Sequence, residues 1–290
     1  MVYSYTQDSN GNYMYNTASS QVTVEVIKLI MSFIGEYYEI RNDNNTKFLS
    51  HLKTSISTSL TTKVFLQISF LTFSYLISNA LIFTILSLTS PGLFSLFKSF
   101  TPVIVALLNY VIFKRSIEHS KIVVIFIMFF GIILATQESQ STPSNSSSSN
   151  PTIYLILIQL LISSLNMVTN GHLLLPSTTS LSINQINIMM YSLGGLLNFV
   201  LYFVHSSEKS FFEGYNSGPI YAFLFTKSLM GIIGNYVYRS SGSTIKSFAS
   251  PIVTCICVFL SYLLLNEQHS LVSFCGSGVV ILSAYLYLIL

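Results

Sequence analysis

The sequence predicts an all-α membrane protein, a polytopic bundle of about nine transmembrane helices. Hydrophobic residues make up 51% of its 290 residues and charged residues only 8%, and mean hydropathy is +0.63. A soluble domain carries about 25% charged residues. Long apolar runs recur along the chain, and a helix satisfies all its backbone hydrogen bonds within one segment in lipid. The lipid bilayer is therefore the expected surroundings of this chain.

Nine apolar runs approach the roughly 20 residues that are needed to cross a bilayer. The first run contains Glu25 and Lys28, three residues apart on one helical face, a spacing at which opposite charges can pair. This pair is either a structural bridge or part of a binding site. The nine runs lie at about 17–38, 64–87, 91–113, 119–137, 152–175, 183–205, 218–238, 244–265 and 270–289.

A polar, low-complexity segment separates the predicted spans into two groups. Its Ser- and Asn-rich composition predicts a flexible linker on the luminal side. The predicted organisation is a polar N-terminal segment at 1–16, a first half with four helices at 17–137, the linker at 138–151, and a second half with five helices at 152–290.

Basic residues concentrate in alternate loops. The opposite set of loops holds only Lys209. Such an asymmetry predicts that the basic side faces the cytosol, which places the C-terminus in the cytosol and, with nine spans, the N-terminus in the lumen. The residues on the basic side are Arg41, Lys47, Lys53, Lys63, Lys114, Arg115, Lys121 and Arg239.

Two stretches, Leu96–Leu134 and Thr244–Leu282, form an internal repeat. Each opens with Lys-Ser-Phe followed by a proline, at Lys98–Pro102 and Lys246–Pro251. The predicted topology gives the copies opposite orientations, which defines an inverted repeat with its substrate near the bilayer midplane. Both prolines are expected to kink their helices.

The repeat places one lysine in each copy within a predicted span. A charged residue there costs at least ~2.5–3.5 kcal/mol on the insertion scale, so Lys98 and Lys246 are expected to face one cavity. The two ammonium groups would repel each other until an anion such as phosphate binds. The alternative is that each lysine extends to a membrane interface. Lys227 is either a third contact or a structural lysine bound by hydroxyl groups.

Nothing in the sequence predicts catalysis, a metal site, a cofactor or nucleic-acid binding. It has no metal-ligand spacing, no Walker loop and no GxGxxG motif, and its three cysteines lie in apolar runs. Transport by this chain would therefore be secondary rather than driven by ATP.

Several motifs occur together in one order. They are YNTASSQVTVEVIKL at 15–29, NIMMYSLG at 187–194 and FFEGY at 211–215, with Arg239 and Lys246 seven residues apart. With these motifs, residues 15–290 resemble the nucleotide-sugar transporters of the drug/metabolite-transporter superfamily. The most similar branch carries CMP-sialic acid, UDP-galactose and UDP-N-acetylglucosamine.

The resemblance implies a ten-helix fold of two inverted five-helix halves, whose first helix has no counterpart here. It also implies exchange of a cytosolic nucleotide sugar for a luminal nucleoside monophosphate across the membrane of the Golgi or the endoplasmic reticulum. Lys98 and Lys246 would hold phosphate. The predicted substrate-binding set is completed by Glu25, Lys28, Asn79, Tyr191, Lys227 and Arg239.

The chain departs from the family pattern at several positions. Its Gly242-Ser243 replaces an Asp-Asn pair, Asn170-Gly171-His172 replaces Phe-Glu-Lys, and Met189 replaces a glutamine.

A UDP-sugar is the favoured substrate and CMP-sialic acid the alternative. The second hypothesis is a transport-inactive paralogue that binds Golgi partners. Protein partners would be a second copy or a glycosyltransferase.

Overall fold

The computed structural model describes residues 15–42, 48–89, 94, 97–114, 118–136, 150–175, 177–204, 210–216, 218–253, 255–256, 259 and 271–290. Nine helices can be delimited within these ranges, and we number them in chain order. They are α1 Thr17–Asn42, α2 Phe48–Ser59, α3 Thr62–Leu88, α4 Thr101–Phe113, α5 His119–Thr136, α6 Asn150–Leu173, α7 Ile183–Val204, α8 Gly218–Ser247 and α9 Leu271–Ile289.

The helices have the length and composition of membrane spans. Five of them, α1, α3, α6, α7 and α8, are long and apolar enough to cross a bilayer, and α4, α5 and α9 are apolar but shorter. These helices coincide with predicted spans, so the predicted polytopic, all-α membrane protein is confirmed. The predicted span at 244–265 is only partly described, and the number of spans stays a prediction.

The short helix α2 lies in a segment that was expected to be a loop. Its 12 residues are too few to cross a bilayer. Leu52 is buried, and the hydroxyl group of Ser55 donates a hydrogen bond to Oε1 of Gln185 over 3.2 Å. The helix is therefore held against the first turn of α7.

The polypeptide forms two compact units, each assembled from two separate stretches. The first unit contains Met1–Phe83 and Thr169–Gly242, and the second contains Thr84–Val168 and Ser243–Leu290. Both predicted sequence halves contribute to each unit. The division into the halves 17–137 and 152–290 describes the sequence repeat and stays a prediction.

The two copies of the repeat adopt the same local backbone in the second unit. A turn closes at Phe100, whose N–H donates to the carbonyl oxygen of Phe97 at 3.1 Å, and the N–H of Phe248 donates to Ile245 at 3.2 Å. After each turn a helix continues with proline in its first turn. The expectation that both prolines kink continuous helices is therefore wrong. Each proline instead lies in the first turn of a new helix, where it has no backbone N–H hydrogen bond to lose.

In the second unit, α5 and α9 approach each other closely through small residues. A Cβ atom on Gly276 would lie 2.7 Å from the carbonyl oxygen of Gly131, and the hydroxyl group of Ser273 donates to the carbonyl oxygen of Ala135 at 2.7 Å. Small residues of this kind let the backbones of membrane helices come into contact. Met128 and Val280 are fully buried in the apolar core beside this contact.

Gly242 interrupts α8 at the point where the chain passes from the first unit to the second. Its φ of 78° and ψ of 177° are not helical, and they fall in a region that essentially only glycine adopts. No atom lies within 4 Å of the position that a Cβ would take. Glycine is therefore required at the kink by its backbone conformation, and not because a larger side chain would collide with a neighbouring atom.

Replacing Gly242 by alanine is expected to lower the free energy of unfolding by about 1–3 kcal/mol, because alanine is strained at this φ and ψ. Thermal melting of the detergent-purified protein would show a fall of several degrees. Gly218→Ala is the control, since Gly218 also has open space around it and no positive φ. Equal melting temperatures for the two variants would contradict the assigned strain.

Candidate functional site

A buried ion pair lies on the face of α1 that packs against α7. The Nζ atom of Lys28 is 2.7 Å from Oε1 of Glu25, and only 12% and 10% of the two side chains are exposed. The same Nζ lies 4.9 Å from the centre of the Tyr191 ring, a cation–π distance. A Cβ on Gly231 of α8 would come within 2.7 Å of Cε of Lys28. The ion pair expected from the three-residue spacing is thus present, enclosed by α1, α7 and α8.

Three buried asparagine side chains form a hydrogen-bonded series that we call the amide ladder: Asn170, Asn235 and Asn187. Nδ2 of Asn170 donates to Oδ1 of Asn235 at 2.9 Å, and Nδ2 of Asn235 donates to Oδ1 of Asn187 at 2.5 Å. Two hydroxyl groups also accept from the ladder, Tyr75 from Asn170 at 3.3 Å and Tyr191 from Asn235 at 3.1 Å. The ladder therefore joins α6, α8 and α7, and Tyr191 connects it to the Glu25–Lys28 pair.

Each end of the amide ladder has one spare polar atom. Oδ1 of Asn170 and Nδ2 of Asn187 are buried and have no hydrogen-bond partner among the described residues. Leaving a buried polar atom without a partner lowers the stability of the fold by about 1–3 kcal/mol. Of these two atoms, Oδ1 of Asn170 is an acceptor and Nδ2 of Asn187 is a donor. A ligand that offers a donor to Oδ1 of Asn170, or an acceptor to Nδ2 of Asn187, would satisfy the atom that it reaches.

Lys227 lies in the first unit, on α8. Its Nζ donates to Oε1 of Gln21 on α1 at 2.8 Å. The rings of Phe83 and Phe223 lie 5.3 Å and 5.6 Å from this nitrogen. A hydrogen bond to the side-chain amide of Gln21 thus connects Lys227 to α1.

Arg239 and Asn79 are also in the first unit. Nη1 of Arg239 donates to the backbone carbonyl oxygen of Leu181 at 3.2 Å, so its guanidinium group supports the segment just before α7. Asn79 is half-buried on α3. It lies one helical turn beyond Tyr75, which accepts a hydrogen bond from the amide ladder. A substrate contact by either residue stays a prediction.

Lys98 and Lys246 lie together in the second unit, whereas Lys28 lies in the first. Both are half-buried, and Lys246 occupies the last turn of α8. Asn109 of α4, the helix that follows Lys98, donates to the hydroxyl group of Thr244 at 3.2 Å. The two copies of the repeat are therefore in contact near Lys246. That both lysines face one cavity stays a prediction.

A second polar cluster, absent from the predicted set, lies near the C-terminal end of α1. Glu36 is 2% exposed, and its two carboxylate oxygens accept hydrogen bonds from Ser182 at 2.7 Å and from Gln185 at 2.6 Å. The backbone N–H of Gln185 donates to the hydroxyl group of Ser182 at 3.0 Å, which caps the N-terminus of α7. A carboxylate at this positive helix end is favourable, so Glu36 fastens α1 to α7.

Sequence reasoning missed the amide ladder and the partner of Lys227. Asn170 was interpreted only as the replacement of a family residue, although it supplies two hydrogen bonds here. The available signal was the presence of single amide side chains in apolar runs, such as Asn235 in GIIGNYV and Gln21 in α1. Polar residues inside predicted spans usually face the bundle interior and mark functional sites.

The sequence profile of the family described as Nucleotide-sugar transporter matches residues 1–288. The chain belongs to the nucleotide-sugar transporter family. The resemblance seen in the motifs is thereby confirmed, and the protein is a member of a transporter family rather than of an enzyme family.

Curated relatives of this transporter are similar over almost its whole length. CMP-sialic acid transporter 2 of Oryza sativa subsp. indica is 22% identical over 281 residues, which cover 96% of this chain and 76% of the relative. The UDP-N-acetylglucosamine/UDP-N-acetylgalactosamine transporter of Caenorhabditis elegans is 25% identical over 300 residues, covering 98% and 87%. These relatives are named for substrates with different bases and sugars.

A solved crystal structure supports the fold of the transporter. It superposes with a TM-score of 0.65 at 8% sequence identity, covering 97% of this chain and 91% of the other. At this identity the likeness concerns the arrangement of helices alone.

Proposed function

We propose that this protein exchanges a cytosolic pyrimidine nucleotide sugar for a luminal nucleoside monophosphate across the Golgi membrane, with a UDP-sugar as the favoured substrate. The observation that carries the proposal is the continuous polar interior of the first unit, formed by the Glu25–Lys28 pair, Tyr191 and the amide ladder. A membrane protein retains such costly groups where a polar substrate passes.

The chemistry of this interior fits a nucleotide. Lys28 supplies a cation beside the aromatic ring of Tyr191, and the spare atoms of Asn170 and Asn187 offer one acceptor and one donor. A pyrimidine base carries both donors and acceptors on its edges, so it can pair with whichever of these two atoms it reaches. In the second unit, Lys98 and Lys246 are the proposed phosphate contacts, because a lysine ammonium acts as a point charge for phosphate.

Uptake into proteoliposomes tests the proposal. Vesicles that contain the purified protein and are preloaded with UMP are expected to accumulate radiolabelled UDP-galactose or UDP-N-acetylglucosamine faster than vesicles without UMP. CMP-sialic acid with CMP inside is measured in parallel, because relatives are named for both kinds of substrate. No uptake of any of these nucleotide sugars by correctly inserted protein would favour the transport-inactive paralogue.

Replacing Lys98 by alanine is expected to lower exchange at least tenfold, because a hydrogen bond to a charged group contributes about 1.5–3 kcal/mol. The initial rate of uptake measures this effect, and the melting temperature shows whether the variant is folded. Lys121→Ala is the matched control, since Lys121 lies at the start of α5 beside Glu118 and outside the proposed site. Unchanged exchange by folded Lys98→Ala would remove its phosphate role.

A further inference from the structure

Asn166 is a buried amide in the C-terminal half of α6. The residue is 0% exposed, and neither Oδ1 nor Nδ2 has a hydrogen-bond partner within the part of the chain that the structure describes. In that part, no other buried amide lacks partners at both of its polar atoms. Since a primary amide carries two N–H donors and an acceptor oxygen, the whole hydrogen-bonding capacity of this side chain is unused.

A buried asparagine in a membrane helix can be satisfied by its own backbone. Asn198 of α7 is 5% exposed, and its Nδ2 donates to the carbonyl oxygen of Gly194, one turn earlier, at 2.8 Å. Nδ2 of Asn166 makes no such bond to the carbonyl oxygen of Ile162. Leaving both atoms unpaired is unfavourable in a buried position, and a ligand that brings a donor and an acceptor would remove that cost.

Asn166 lies on the same face of α6 as Asn170, whose Oδ1 is the spare acceptor of the amide ladder. Four residues separate them, which is about one turn and about 6 Å along the helix axis. Gln159 and Ser163 occupy earlier turns of this face. A polar face on a membrane-spanning helix is typical of a helix that lines a substrate path.

An amide presents its acceptor and its donor side by side in one plane. A ligand group pairs with both only if its own donor and acceptor are also adjacent. The edge of uracil with N3–H and O4 has this arrangement, and so has the edge of cytosine with N3 and the N4 amino group. Asparagine binds the edge of adenine in DNA in the same bidentate way. The acetamido group of an N-acetyl sugar does not fit, because a trans amide points its N–H and its C=O in opposite directions.

We propose that Asn166 binds the pyrimidine base of the transported nucleotide through both polar atoms of its amide. The inference rests on the proposed function and names a residue that recognises the base. Turning the amide over exchanges its donor and acceptor, so Asn166 accepts uracil and cytosine alike. The choice between a UDP-sugar and CMP-sialic acid then comes from other contacts.

Titration calorimetry with methylated nucleotides tests this contact in the purified wild-type protein. In 3-methyl-UMP a methyl group replaces the N3 hydrogen, so the donor to Oδ1 of Asn166 is lost. Its Kd is expected to exceed that of UMP about tenfold or more, since a bidentate contact to a base edge is broken. The control is 5-methyl-UMP, which carries its methyl group away from this edge and is expected to bind as UMP does. For CMP the corresponding derivative is N4,N4-dimethyl-CMP, which has lost both N4 hydrogens.

Asn166→Leu assigns the effect to this residue. Leucine has a similar volume and no polar atom, so we expect an unchanged or higher melting temperature. The Kd for UMP is expected to rise about tenfold or more, and the difference between UMP and 3-methyl-UMP is expected to disappear. Asn198→Leu is the matched control, because it removes a buried asparagine whose hydrogen bond stays within its own helix. Its Kd for UMP is expected to equal that of the wild type.

Equal Kd values of the wild type for UMP and 3-methyl-UMP would overturn the base contact and leave the proposed exchange standing, because uptake is measured separately. A difference that persists in Asn166→Leu would also overturn it, since another residue would then bind this edge. No binding of either UMP or CMP would refute the inference, and no uptake as well would refute the proposed function with it.

Discussion

Replacing Lys28 by methionine is expected to lower the free energy of unfolding by about 3–5 kcal/mol, because the carboxylate of Glu25 then stays buried without its cation. The two groups are 2.7 Å apart and each is about one tenth exposed. For a chain of this size the loss corresponds to a fall of roughly 10 °C in melting temperature. Exchange should be lost as well, because the ammonium group beside Tyr191 is gone.

The double variant Glu25→Gln with Lys28→Met separates stability from transport. A neutral pair of similar size avoids the unpaired charge, and replacing a buried ion pair in this way is often neutral for stability. We therefore expect its melting temperature to recover while exchange stays lost. Lys121→Met is the control, since its partly exposed pair with Glu118, at 3.9 Å, is worth about 1 kcal/mol at most. Equal melting temperatures for Lys28→Met and Lys121→Met would contradict the structural role of the pair.

Gly276→Val is expected to prevent the packing of α9 against α5. Even its first side-chain carbon would lie 2.7 Å from the carbonyl oxygen of Gly131 and 2.8 Å from the carbonyl carbon of Leu134. Backbone atoms cannot rotate away, so the helices would separate and the bond from Ser273 to the Ala135 carbonyl would break. The expected loss is at least about 3 kcal/mol, the upper end of the usual cost of overpacking.

Size-exclusion chromatography of the detergent extract measures this effect as the yield of monodisperse protein. Gly278→Val is the matched control, because it changes the same helix at a glycine with no atom within 4 Å of its Cβ position. We expect a normal yield from Gly278→Val and little or no monodisperse protein from Gly276→Val. Similar yields from both variants would show that the close approach is not required.

The membrane spans could be predicted because the bilayer imposes both length and composition on a helix. The observed α7 begins at Ile183, where the apolar run begins, and α3 begins at Thr62, two residues before its predicted start. The short helix α2 could not be predicted in this way, because 12 amphipathic residues lack the long apolar signal. The turn before Pro102 was missed because a proline in an apolar run is compatible with either a kink or a new helix.

The site was predictable only where its contacts are local. Glu25 and Lys28 are three residues apart, so helical geometry alone brings them together. The amide ladder joins Asn170 to Asn235 across 65 residues and Asn235 to Asn187 across 48 residues. Which amides face one another depends on how three helices are rotated and packed, and neither composition nor periodicity contains that information.

The amide ladder has two equivalent hydrogen-bonding polarities. Each asparagine places a carbonyl oxygen against the amide nitrogen of the next, so one member cannot turn over alone without opposing like groups. If all three reverse together, every hydrogen bond is kept, because the hydroxyl groups of Tyr75 and Tyr191 can donate as well as accept. The spare donor and the spare acceptor then exchange ends. Each end can thus present either a donor or an acceptor, so a base that offers a donor to that end and a base that offers an acceptor to it would find the same number of hydrogen bonds.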